Sequence, residues 1–177
     1  VNMIKKTPLY NLHIQHGAKM VEFAGYQMPI PYKGGIIQEH KFTRENAGIF
    51  DVSHMGQLFI TGSDHLTNDL VKIFPVNLKY LKTNQSKYSF LMNEQGGIYD
   101  DLIITKLKDG YIIILNAACK KQDFEILKKK LADKSELHLD ESLFLIAIQL
   151  PTAKDVSGKV VSNITNLKFM NGAEFAY

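Results

Sequence analysis

The sequence predicts an α+β fold of largely antiparallel sheets with packed helices. Three observations carry this: apolar strand-like runs joined by short turn signals, helical stretches alternating with them, and one segment, Lys121 to Leu131, with clear amphipathic spacing. Turn-linked neighbours pair antiparallel, which disfavours a doubly wound parallel sheet. Taken in order, Pro8 to Gly17 reads as a short helix, with Leu9, Leu12 and His13 on one face and Gly17 as its stop. Glu22 to Gly35 is punctuated by Gly25, Pro29, Pro31, Gly34 and Gly35 and reads as loop. A helix is expected from Ile36 to Asn46, and a strand over Gln57 to Thr61, ending at Gly62. Ser63 is placed to cap a helix carrying Leu66, Leu70 and Val71.

The middle of the chain reads as hairpins. Tyr88 to Met92 is a short apolar strand, Asn93 to Gly97 is turn chemistry, and Ile98 to Lys106 is a second strand. Asp109-Gly110 turns the chain into a third, Tyr111 to Leu115. In the helix that follows, Phe124, Leu127 and Leu131 form the apolar face. The run Lys128 to Lys130, after Asp123 and Glu125, reads as a solvated helix end, where cations are favourable. Leu137 to Leu139 and Leu143 to Gln149 form a last strand pair, before a helix around Thr152 to Val161.

Composition narrows the class. With 177 residues, 45% apolar and 22% charged, the chain can bury a core without disulfide or metal support. The net charge of +3 is too small to argue for nucleic acid. The longest apolar runs fall far short of the roughly 20 residues of a membrane span. Lys5 and Lys6 are followed by no apolar stretch of the signal-peptide kind. The single thiol, Cys119, cannot form an internal disulfide, so an intracellular setting is the simpler reading.

The adjacent carboxylates Asp100 and Asp101 are the first candidates for chemistry. They follow a Gly-Gly turn on an otherwise apolar strand, and neighbouring strand residues face opposite sides. One of them therefore points where the other does not. From spacing alone they could equally be two turn-flanking aspartates. His54 near Asp51 has no second ligand at metal-binding spacing, and Ser53 and His54, as sequence neighbours, point apart rather than forming a nucleophile and base. Neither a dinucleotide fingerprint nor a Walker sequence is present. Cys119 stands at an expected helix start, where a thiol pKa can be lowered, although a bystander thiol is the simpler reading.

Seven motifs in register carry a resemblance. They are Lys6-Thr-Pro-Leu-Tyr10 with His13; Gly17 to Val21 with Phe23-Ala-Gly25 and Met28-Pro29; Gly35-Ile-Ile with Glu39-His40 and Arg44; Phe50-Asp-Val-Ser-His-Met-Gly-Gln57; Tyr88-Ser89; Gly96-Gly-Ile-Tyr-Asp-Asp-Leu102; and Asn116-Ala-Ala118. In them the sequence resembles the N-terminal part of the aminomethyltransferases, the T-proteins of the glycine cleavage system. The resemblance implies a folate-binding region over residues 1–177 of an incomplete enzyme. It implies a reaction in which the aminomethyl group on the lipoyl arm of H-protein loses ammonia and its one-carbon unit passes to tetrahydrofolate, giving 5,10-methylenetetrahydrofolate.

By the same resemblance Asp101 is the catalytic carboxylate, and Met55, Tyr88 and Asn116 bind the folate. No metal is implied, nor nucleic acid or membrane as partner. The compartment would be bacterial cytoplasm or the mitochondrial matrix. The family pattern continues past Tyr177 with a G-Y-T-G-E-like segment and later arginines that hold the pterin and the glutamate tail, so this stretch alone is expected to be inactive. Three positions depart from the pattern: Tyr26 for a frequent tryptophan, Leu150 before Pro151 for a usual glycine, and Cys119 for a common asparagine. A noncatalytic folate-binding or assembly protein, or another folate-dependent demethylating relative, is the alternative.

Overall fold

Hairpins dominate the architecture, with helices laid between them. The computed structural model describes residues 4–175. In chain order these form β1 (Lys5–Lys6), α1 (Tyr10–Gln15), β2 (Met20–Phe23), β3 (Tyr26–Pro29), α2 (Ile36–Glu45), β4 (Gly48–Asp51), β5 (Gly56–Gly62) and α3 (Leu66–Ile73). Then follow β6 (Ser86–Met92), β7 (Ile98–Leu107), β8 (Gly110–Leu115), α4 (Lys120–Leu131), β9 (Ser135–Asp140), β10 (Ile146–Gln149) and α5 (Ala153–Val160). Two units result: one holds the described chain up to His54 with Ser142–Leu167, the other Met55–Glu141 with Lys168–Ala173. The α+β class with antiparallel pairing is as the sequence predicts; among the described residues the short β1 pairs parallel with β3.

In the first unit, the stretch expected to be loop contains the β2–β3 hairpin. Its turn is Ala24-Gly25, both at positive φ (49° and 80°), the backbone that matches the right-handed twist of flanking strands. An alanine in the first turn position hides the signal that Asn-Gly or Gly-Gly would give. The final strand pair is also corrected. Gly48–Asp51, unassigned in the sequence, becomes β4 and pairs with β10, whereas β9 pairs with β5 in the other unit. The apolar runs were recognisable, but their partners lie nearly a hundred residues apart along the chain and local spacing cannot choose between them.

Leu150, a position where the resemblance leads one to expect glycine, adopts φ 67° immediately before Pro151. That conformation is unfavourable for a residue with a Cβ, and the following proline restricts it further. Leu150→Gly is therefore expected to raise stability by about 0.5–1 kcal/mol after the added freedom of the unfolded chain is subtracted. A denaturant titration showing a lower midpoint would contradict the strain.

The second unit is built on a five-stranded antiparallel sheet in the order β6-β7-β8-β5-β9. Alternation along each strand divides its faces. Leu58 and Ile60 of β5, Leu91 of β6, Leu102 and Ile104 of β7, and Ile113 and Leu115 of β8 join Leu66 and Leu70 of α3, and Leu127 and Leu131 of α4, in one buried cluster. Burial of each such side chain is worth about 1.5–3 kcal/mol. The helix after β5 starts later than Ser63 would place it; Ser63 Oγ accepts only the His65 amide, at 3.4 Å.

A bulge interrupts β6–β7, where Leu91 pairs with Asp100 but Met92 with Ile98. Two residues of β7 thus span one step of β6, directly before the aspartate pair. Beyond the bulge, Asp100 continues the inward row of Leu102 and Ile104, and Asp101 falls on the opposite face.

Candidate active site

Asp101 lies exposed on the sheet face away from the helices, and the register brings its neighbours to it. Tyr88 pairs with Ile103, one same-face step from Asp101, and its hydroxyl donates to Asp101 Oδ2 at 2.9 Å. Asn116 follows β8 directly; its Nδ2 donates to Asp101 Oδ1 at 3.2 Å and to the Asp101 carbonyl oxygen at 3.0 Å. One carboxylate oxygen is thus held from each side. The hydrogen bond to Asp101, with some burial and the nearby negative charge, pushes the Tyr88 hydroxyl above its ordinary pKa and keeps it a donor. Phe90 meets Tyr88 edge-on with ring centroids 5.3 Å apart, and Ile103 lies beside them, so an aromatic and aliphatic surface borders the polar pair.

Met55 stands half-buried just before β5, one residue ahead of the Gly56 to Leu115 pairing. The structure therefore groups Tyr88, Asp101 and Asn116 by direct hydrogen bonds and places Met55 just ahead of β5, an interior strand of the same sheet. Gly56 explains part of its own motif. A Cβ there would meet Lys120 Cβ at 2.9 Å and Leu115 Cβ at 3.2 Å.

Asp100 is not isolated from this arrangement. It is buried, and its two oxygens accept from the Asn116 side chain at 2.9 Å and the Asn116 backbone N–H at 3.3 Å. Behind it sits Asp123 of α4, with no exposed surface. Burial first, then hydrogen bonding to Asp100 and its charge, push the Asp123 carboxyl up to about 7. The sequence reading, which places Asp123 only as one of the acids ahead of the lysine run, does not anticipate this burial. Asp123, Leu127 and Leu131 share four-residue spacing, and that places the aspartate on the buried stripe. Burial, together with the nearby Asp100 and Asp123, raises the Cys119 thiol pKa, which agrees with the bystander reading and not with an activated thiol.

In the first unit, the Phe50-to-His54 part of the motif builds a different network. His13 Nε2 lies 2.8 Å from Asp51 Oδ2, His13 Nδ1 lies 2.7 Å from the Tyr32 hydroxyl, and the Ser53 amide donates to Asp51 Oδ1 at 2.9 Å. Ser53 Oγ accepts from the Leu145 amide at 3.0 Å, which ties it to the backbone as a structural group. The His54 ring packs edge-on against Phe23 and Tyr26. A cavity of about 970 Å³, lined by Phe23, Met28, Phe42, Phe50 and His54 among others, opens in this unit. None of Tyr88, Asp101 and Asn116 lines it. Its walls are largely apolar, and its two lining carboxylates are already engaged, Glu39 by the Tyr32 amide at 2.7 Å and Asp51 by His13 and the Ser53 amide, so the exposed hydrogen-bonded group on the sheet is the better candidate. Among the described residues no group of three or more His, Cys, Asp and Glu is arranged to hold a metal, and no helix is long and apolar enough to cross a membrane.

The α+β fold with its antiparallel sheets is of the glycine cleavage T-protein type. The chain belongs to the family of the GCVT N-terminal domain, whose model matches residues 9–177. It is 42% identical to the mitochondrial aminomethyltransferase of Dictyostelium discoideum, covering 96% of this chain and 44% of that protein. It is 44% identical to the probable mitochondrial aminomethyltransferase of Schizosaccharomyces pombe, covering 96% and 45%. The crystal structure of the glycine cleavage system aminomethyltransferase T from Bartonella henselae superimposes with a TM-score of 0.89 at 37% identity, over 96% of this chain and 47% of that one. The chain spans slightly less than half the length of these relatives.

Proposed function

We infer that residues 1–177 are the N-terminal folate-binding region of a glycine cleavage aminomethyltransferase, with Asp101 as its catalytic carboxylate. The observation that carries this is the exposed Asp101 carboxylate fixed from two sides, by the Tyr88 hydroxyl and the Asn116 amide. Tetrahydrofolate supplies the amine that receives the one-carbon unit carried by lipoylated H-protein. Asp101 orients that amine and accepts its proton as the nitrogen attacks; such proton transfer contributes roughly 10²- to 10⁴-fold to rate. Tyr88 and Phe90 present an aromatic wall to a flat ring, Asn116 a polar contact at its edge, and Met55 an apolar one. A mostly apolar surface with a few placed polar groups suits such a ligand. Because the chain spans less than half the length of the curated aminomethyltransferases it matches, turnover is tested in a protein of their length that carries it.

The test is turnover. A full-length protein carrying this chain should release ammonia and form 5,10-methylenetetrahydrofolate when given aminomethylated H-protein and tetrahydrofolate. Folate binding with no product under these conditions would favour the noncatalytic binding protein instead.

A further inference from the structure

We propose that Asp100 and Asp123 hold a single proton between them, and that this buried pair is a positioning device that aims Asn116 and, through it, the Asp101 carboxylate. Three geometric facts support this. Asp123 has no exposed surface, and as a carboxylate neither of its oxygens has a hydrogen-bond donor. Its neighbour Asp100 is an acceptor too, already taking both Asn116 donors, so the two acids can bond to each other only if one is protonated. Asn116 Nδ2 spans the strand, 2.9 Å from Asp100 Oδ1 and 3.2 Å from Asp101 Oδ1.

The charged and titratable surroundings agree. Lys120, three residues earlier on α4, pairs with Glu141 at 3.2 Å, and Cys119 is held as a neutral thiol beside Asp100. Asp100 on β7 acts on Asp123 both through a hydrogen bond and by its charge, and Asp101 lies on the far side of the strand. With one proton, the pair carries a single negative charge that Asn116 can compensate. With none, two anions repel inside the sheet and the face presented to Asn116 changes. The apparent titration belongs to the pair rather than to either residue.

The retention of such a pair also has a stability signature. Asp123 binds its proton in the folded state up to about pH 7, against an ordinary value of 3.8. Between those values the folded state holds more protons than the unfolded one, so stability contributed by the neutral form is full below pH 3.8 and is lost as pH rises through about 7. A group that weakens the fold at neutral pH is better explained by its action on Asn116 than by packing.

The inference takes its functional meaning from the reading of Asp101 given above, but the test does not depend on turnover. Carbon-13 NMR of the aspartate carboxyls in the unmodified chain should show one buried carboxyl titrating near pH 7, with the Asn116 side-chain amide signals moving at the same midpoint. Asp123→Asn, which donates permanently to Asp100, should abolish that step and hold the Asn116 signals at their low-pH positions. It should also raise Tm at pH 8 while leaving Tm at pH 5 nearly unchanged. Both carboxyls titrating below pH 5 would overturn the shared proton, and Asn116 signals indifferent to the step would overturn the positioning role. Full turnover in Asp101→Asn would instead remove the reading of the reaction and leave these signals as they are.

Discussion

Asp101→Asn in a full-length protein carrying this chain is expected to lower turnover by about 10²-fold or more while tetrahydrofolate affinity changes only modestly. The substitution keeps side-chain size and leaves an oxygen that can still accept from Tyr88 or Asn116. What it removes is the charge and the proton acceptor, which matter in the step rather than in ground-state binding. Tetrahydrofolate affinity measured by calorimetry, alongside kcat from product formation, separates the two. A loss of affinity with unchanged turnover would limit Asp101 to holding folate, and full activity would end its assignment. Asp100→Asn, attractive as a matched control because Asp100 faces the other way, is not neutral: Asp100 anchors the Asn116 that touches Asp101. Asp109→Asn, at an exposed turn between β7 and β8, is the better comparison.

How far the sequence reaches can be judged at particular residues. The antiparallel hairpins β6–β7–β8 are legible because Asn93 to Gly97 and Asp109-Gly110 are local turn chemistry, and the opposite facing of Asp100 and Asp101 follows from strand pairing alone. Asp123 was legible in principle, by its spacing to Leu127 and Leu131, but an acid beside Glu125 and ahead of three lysines reads as surface. No local rule announces that the buried Asp123 carboxyl will lie beside Asp100, on a strand well before it in the chain. Which apolar run joins which sheet is of the same kind, as β10 with β4 shows, because pairing between distant segments is decided by packing of the whole unit rather than by propensity.

The His13–Asp51 pair of the first unit is a further case, since thirty-eight positions separate two residues whose motifs look independent. The Asp51 side chain has no exposed surface and the His13 side chain is 8% exposed. Burial pushes the Asp51 carboxyl up, but hydrogen bonds from His13 and Ser53 outweigh it and hold the pKa below the usual 3.8. Because the folded-state value is the lower one, this stabilisation is complete above the unfolded pKa and is lost as pH falls through the folded one. Asp51→Ala leaves a buried imidazole nitrogen and the Ser53 amide without their acceptor. Each buried donor left unsatisfied costs about 1–3 kcal/mol, and a denaturant titration at pH 7 is expected to show that loss. The difference from the unmodified chain should narrow once the pH is taken below about 3.8, where the unmodified carboxylate also begins to take up its proton. A loss under about 1 kcal/mol at pH 7 would place the Asp51 carboxylate at the surface in effect, where ion pairs contribute little, and would remove the network as the reason for the Phe50-to-Gln57 motif.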